Sequence, residues 1–143
     1  MSKHVTNRTS VSALMGASVF DSSALLFGRV CEFAVDPGTD VHRVEGLVVR
    51  RVATKDPGGG ETVLVRIVEI QLGTNCRMEL GAQAAPVAMP EKGAEERYLL
   101  LERDLLDQQI IDIHGHKVVR VNDVDLAWVP VEEAESPLML HIV

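Results

Sequence analysis

The chain has 143 residues, 46% of them hydrophobic and 24% charged. That is enough apolar material for one core without disulfides or metal, and too much for a disordered chain. Fourteen Lys and Arg against 21 Asp and Glu leave a formal charge of −7, which argues against generic nucleic-acid binding, because phosphate recognition works through a basic face.

Residues 1–12 are polar and rich in Ser and Thr, and read as a flexible N-terminal arm. Ala13–Phe20 is the first structured run, ending in the polar turn Asp21-Ser22-Ser23. Leu25–Val35 follows, with Val30, Glu32 and Ala34 alternating against Cys31, Phe33 and Val35. Asp36-Pro37-Gly38 closes it with turn chemistry. Val44–Val52 is the next apolar run; its adjacent Arg50 and Arg51 point to opposite faces of a strand and so make no basic patch. Asp56–Gly60 is a glycine-rich hairpin tip, without the Lys-Ser/Thr that follows in a phosphate loop.

Thr62–Leu72 alternates Leu64, Arg66, Val68, Ile70 and Leu72 against Val63, Val65, Ile67, Glu69 and Gln71. Gly73–Arg97, with three glycines and two prolines, reads as a long irregular excursion holding one short strand or helical turn. In Tyr98–Val131, Glu102–Gln109 forms a single helical turn with Leu105 and Leu106 closing one barrel end. His114-Gly115 then makes a tight turn and Lys117–Trp128 continues as a strand. Leu138–Val143 is an apolar run in a C-terminal extension, 132–143, read as the start of a further segment and as an exposed edge for pairing.

Short strands, turn signals every 10 to 20 residues and 21 valines predict an all-β fold, a small barrel over 13–131. Both faces of several strands are apolar near one end, which predicts contact with a second surface. The longest stretches free of Asp, Glu, Lys and Arg, Thr9–Phe20 and Leu80–Pro90, fall short of the ~20 residues of a membrane span. Cys31 and Cys76 have no partner spacing, and a reduced, cytoplasmic chain is expected.

Shifting the chain by 91 residues superposes two segments without a gap. Val19-Phe20-Asp21 falls on Ile110-Ile111-Asp112, Arg29-Val30 on Arg120-Val121, Glu32-Phe33 on Asp123-Val124, and Val35 on Leu126. The echo implies two equivalent hairpins and approximate internal symmetry.

Catalytic chemistry is not signalled: there is no G-x-S-x-G, and Cys31 has no evident base. His114 and His116 flank a turn glycine but lack a third ligand, so no metal or other cofactor is expected. Asp104, Asp107, Asp112, Asp123 and Asp125 are clustered in sequence. Such carboxylates suit a hard cation, yet they are also ordinary caps of strand ends and turns. The candidate barrel-end network is Asp104, Asp107, Asp112, Arg120, Asn122 and Asp123, with Arg120 pairing one of the acids.

Gly16, Val19 and Asp21, then Gly28 with Val30, and Val44 with Gly46, Val48 and Val49 are weak motifs singly. A stronger one runs Arg103-Asp104-Leu105-Leu106-Asp107-x-Gln109-Ile110, with Asp112, Gly115, Lys117–Val124 and Leu126. Together they resemble the PRC-barrel, the small β-barrel of photosynthetic reaction-centre H subunits and ribosome-maturation factors. The stronger run is most similar to the PRC-barrel of bacterial proteins that carry a magnesium-transporter-type N-terminal domain and CBS domains. The chain departs from the first branch by lacking a preceding membrane helix, and from the second by lacking a preceding β-domain. The resemblance implies a non-enzymatic protein-interaction or regulatory module, an adaptor to a transporter or CBS-domain protein, and a homodimer. It also leaves open a ribosome-maturation role on a ribosomal protein or RNA, and a magnesium or small-molecule sensor.

Overall fold

The computed structural model describes residues 7–40, 42–52, 60–73, 75, 77–88, 98–105, 109–112, 117–120, 123–130 and 138–142. The fold is all-β and barrel-like, and among the described residues helix is confined to short turns. Its strands are β1 (Asn7–Ser10), β2 (Ser18–Phe20), β3 (Leu26–Val35), β4 (Arg43–Val44), β5 (Gly46–Arg51), β6 (Thr62–Arg66) and β7 (Ile70–Leu72). They continue with β8 (Met78–Leu80), β9 (Val87–Ala88), β10 (Leu99–Leu100), β11 (Gln109–Asp112), β12 (Lys117–Arg120), β13 (Asp125–Pro130) and β14 (Leu138–Ile142). The longer sheet runs β7-β8-β2-β3-β5-β6-β9, with β10 also on β3. A second runs β1-β13-β14-β4, and β11-β12 form a hairpin.

β3 organises the longer sheet. β2 pairs with its first half, β10 with Ala34 and Val35, and β5 runs along its other edge from Gly28 to Ala34. The closeness of β3 and β5 explains Gly28: a Cβ there would lie 2.4 Å from the Arg50 carbonyl oxygen and 2.7 Å from Val49 Cγ1. The main core packs Val30, Phe33 and Val35 of β3 with Leu47, Val49, Val63, Val65, Ile70, Leu101, Leu126 and Trp128. Full burial of each large aliphatic or aromatic side chain contributes about 1.5–3 kcal/mol.

Three local departures from simple alternation have physical causes. Ala13–Phe20 does not run as one strand. Ser10 caps a single helical turn, α1 (Val11–Leu14), through its side chain and the Ala13 N–H, and Gly16 at φ +79° turns the chain into β2. In β3 the register shifts between Val30 and Glu32, a β-bulge that breaks the expected alternation. Val30, Phe33 and Val35 face the core, whereas Ala34 and Cys31 pack on the opposite side of the sheet. Thr62–Leu72 is interrupted by a 3-10 turn at Ile67–Glu69, so Ile70 joins Val63, Val65 and Ile67 in the core while Val68 stays 56% exposed. Glu69 is buried because its carboxylate accepts the Arg66 and Ala85 main-chain N–H groups.

Both expected terminal extensions join the sheet. Asn7–Ser10, assigned to a flexible arm, pairs as β1 along β13. Val11 behind it is fully buried, and its N–H bonds the Val124 carbonyl, which anchors the segment. Leu138–Ile142 pairs with β13 along its length, and at Leu140 and His141 its other side pairs with β4, so that part of the expected free edge is taken. The irregular excursion contributes β8, the parallel neighbour of β2, and β9 at the far edge. Arg77 stacks over the Phe20 ring at 3.7 Å, tying the start of β8 to β2. The expected helical turn begins one residue early, as a single wide turn over Leu101–Leu105. The Asp56–Gly59 tip, the His114–His116 turn, Leu106 and Cys76 lie outside the described residues.

The 91-residue echo reappears in the pairing. Ser18 faces Arg29 and Val19 faces Gly28 in the β2–β3 hairpin; Gln109 faces Arg120 and Ile110 faces Val119 in β11–β12. The halves also exchange strands, because β1 pairs with β13 while β10 pairs with β3. The two contacts match under the same shift to within one residue: Leu100 on Ala34 corresponds to Thr9 on Asp125, and Thr9 is found on Leu126.

Candidate interaction surface

Two of the sequence-predicted acids, Asp104 and Asp123, act as caps. Asp104 accepts the Leu100 N–H at 2.9 Å and receives a two-point contact from Arg103, Nε at 2.8 Å and Nη2 at 2.9 Å. The Arg103 guanidinium is the main cause holding its carboxyl below the usual range. Asp123 accepts the Ser12 N–H at 3.0 Å, the Ser12 hydroxyl, and the Val124 N–H at 2.9 Å. The Ser12 hydroxyl, then the Ser12 N–H, lowers its pKa. Asp104 and Asp123 therefore hold different turns and share no partner. Asp112 ends β11 opposite Lys117 and Arg120 ends β12 opposite Gln109, which places their main chains only. Asp107 and Asn122 lie outside the described residues. Among the described residues no three His, Cys, Asp or Glu side chains form a metal-sized group.

The carboxylate that sequence reasoning left out of the network is Glu32. Buried on β3, it accepts the N–H groups of Phe33 (2.9 Å), Glu102 (2.8 Å) and Arg103 (3.0 Å), capping the turn Leu101–Leu105. The signal for it was the echo, which sets Glu32-Phe33 on Asp123-Val124.

With Asp104 and Asp123 occupied as caps, the distinctive surface among the described residues is the outer face of the longer sheet. Ala34, Val48 and Leu100 form a second buried cluster there, with Cys31, Leu64 and Tyr98 half-buried against it. Val48 pairs with Leu64, and Leu64 with Val87, so one cross-strand row leads from the cluster to a side chain that is 64% exposed. Burial pushes the Cys31 thiol up, against a smaller lowering by Arg50, so the thiol stays protonated on this face.

One end of the same face is basic. Arg29 of β3 and Arg50 of β5 are direct cross-strand partners and both are exposed. Arg29 donates to the Gly16 carbonyl and the Ser18 hydroxyl, and among the described residues neither arginine has an ion-pair partner. Arg51, on the other face, pairs with Glu61 and sits over Phe27 at 5.3 Å. Arg50 and Arg51 do diverge as expected, but the basic pair arises across strands, where adjacency along the chain does not reveal it.

A cavity of about 310 Å³ lies elsewhere, lined by Arg66, Val68, Glu69, Gln71 and Gly81–Ala84. Its one buried carboxylate, Glu69, already holds main-chain N–H groups. No described helix is long and apolar enough to cross a membrane. The chain matches no protein-family model and no curated protein sequence.

Proposed function

We propose that this chain is a PRC-barrel-type, non-enzymatic interaction module whose working surface is the outer face of the longer sheet. The observation that carries the reading is a sheet apolar on both sides: one side closes the core, and the other runs from Ala34 and Val48 through Leu64 to exposed Val87. An apolar row leading out of a buried cluster to an exposed valine supports reading this face as the contact surface. The sequence resemblance supports a regulatory or adaptor role beside a magnesium-transporter-type or CBS-domain protein in a bacterial cytoplasm. The capping roles of Asp104 and Asp123 support a structural use of the acids over a magnesium site.

The test is affinity capture from detergent-solubilised cells with wild-type protein and with Val87→Asp, which places a charge on an exposed position. Partners retained by wild type and lost with the variant are expected, with a transporter or CBS-domain protein among them. Identical capture by both proteins would sink the reading.

A further inference from the structure

We infer that the cavity between the Ile67–Glu69 turn and the Gly81–Ala84 turn binds a small aliphatic carboxylic acid, its carboxylate on Arg66 and its hydrocarbon body on Val68, Ala82 and Ala84. The inference goes beyond the interaction-module reading and does not depend on the outer face. Its warrant is a preformed pocket that joins one cation to an apolar wall.

Glu69 holds both walls in place. One oxygen of its buried carboxylate accepts the Arg66 N–H and the other the Ala85 N–H, and its carbonyl accepts the Gly81 N–H at 2.9 Å. The second wall is also closed on itself, by the Ala84 N–H on the Gly81 carbonyl at 3.0 Å. A buried carboxylate is costly unless its oxygens are satisfied, and here both are engaged in fixing the shape of the pocket. Walls fixed in this way lose little freedom on binding, which a ligand of few atoms requires. At about 310 Å³ the cavity lies at the lower end of the ~300–1,000 Å³ usual for small-molecule sites, so the ligand is small.

The lining sets the chemistry. The 3-10 turn buries Ile67 and Glu69 but leaves Val68 56% exposed, so an aliphatic side chain lines the cavity. With Ala82 and Ala84 it makes an apolar wall, against which a hydrocarbon body is favourably removed from water. The Arg66 side chain is 62% exposed, and its Nε lies 3.9 Å from Glu69 Oε1, too long for a hydrogen bond. That ion pair does not consume the guanidinium's fork of donors, which matches a carboxylate at two points. An amine fits less well: Arg66 repels it, and the Glu69 oxygens that would take it already hold main-chain N–H groups. Gln71 and Gln83 add side-chain amides that can bond a further polar atom of the acid.

The experiment titrates the full, isotope-labelled chain with isovalerate and follows its main-chain amide signals by NMR. Isovaleramide and isoamylamine, which keep the hydrocarbon body and change the head group, are the controls. Isovalerate should move the signals of residues 66–71 and 81–85 with a Kd of roughly 1 mM, in keeping with so few atoms. It should bind at least tenfold more tightly than either control. Arg66→Gln and Val68→Asp should each weaken binding at least tenfold, and Arg66→Lys, which keeps the charge and loses the fork, by less. Both side chains are exposed, so the variants should fold, which thermal melts check. Excess isovalerate should raise the melting temperature of wild type and leave that of Arg66→Gln unmoved. Equal binding of isovaleramide, an affinity unchanged in Arg66→Gln, or no movement of these signals at about 10 mM isovalerate overturns the inference.

Discussion

Glu32 and Asp123, 91 positions apart, perform the same task for opposite halves of the molecule. Glu32 accepts the N–H of Arg103, and Asp123 accepts the N–H of Ser12, the residue 91 positions before Arg103. Each also accepts the N–H of the residue that follows it, Phe33 or Val124. Each half thus supplies the carboxylate that caps the short helical turn of the other.

The two caps differ in burial, and their removal should differ accordingly. Glu32→Ala leaves three N–H donors without their acceptor in a buried site, an expected loss of about 3 kcal/mol. Asp123→Ala removes a more exposed cap, worth about 1 kcal/mol. Urea titrations followed through the single, buried tryptophan, Trp128, would measure both. Equal losses would contradict the burial argument.

Asp104 and Asp123 both have carboxyl pKa values lowered in the folded chain. Below the ordinary value of ~3.9 the unfolded chain binds the extra proton first, so stability falls with falling pH. The contribution is fully present above the unfolded pKa and is lost as pH drops from about 5 through the folded values. Asp123→Asn should flatten that part of a stability–pH profile. An unchanged slope would remove Asp123 from the account.

Cys31 should alkylate at pH 8 more slowly than an exposed thiol, by an expected tenfold, because burial keeps it protonated. Arg50 is the neighbour that lowers its pKa, so Arg50→Glu should slow the reaction further. The rate with iodoacetamide in a Cys76→Ser background checks this. Faster reaction in Arg50→Glu would place Arg50 elsewhere.

Gly28→Ala should destabilise by about 3 kcal/mol, since the new Cβ meets the Arg50 main chain, which cannot move aside without opening β3 from β5. Gly81→Ala, where the nearest atom would lie at 3.5 Å, should change stability by less than about 0.5 kcal/mol. Thermal unfolding of the pair tests whether the tight approach is real.

Much of the strand pattern was legible because Leu26–Val35 and Gly46–Arg51 are largely apolar stretches lying between turn residues. The echo was legible as well, since substitutions such as Glu32 for Asp123 conserve the capping chemistry. What periodicity missed was where the backbone adds a residue. The bulge at Val30/Glu32 and the 3-10 turn at Ile67–Glu69 each reassign a face, and nothing in the side-chain alternation announces them. The polar segment Asn7–Ser10 read as an arm because its stability comes from hydrogen bonds to β13, not from its own side chains. The Arg29–Arg50 pair was hidden for a related reason: pairing register is a long-range property.

The exchange of strands between halves also bears on how the chain is made. Ser10 must find Asp125, 115 positions later, before β1 has a partner, and Val11 waits equally long for the Val124 carbonyl. At ordinary synthesis rates that interval is roughly ten seconds. During it α1 lacks its Asp123 cap and the Val11 N–H lacks its acceptor. The composition of the waiting strand, Asn7-Arg8-Thr9-Ser10, suits the delay: an unpaired polar edge with a positive charge is a poor template for joining another nascent chain.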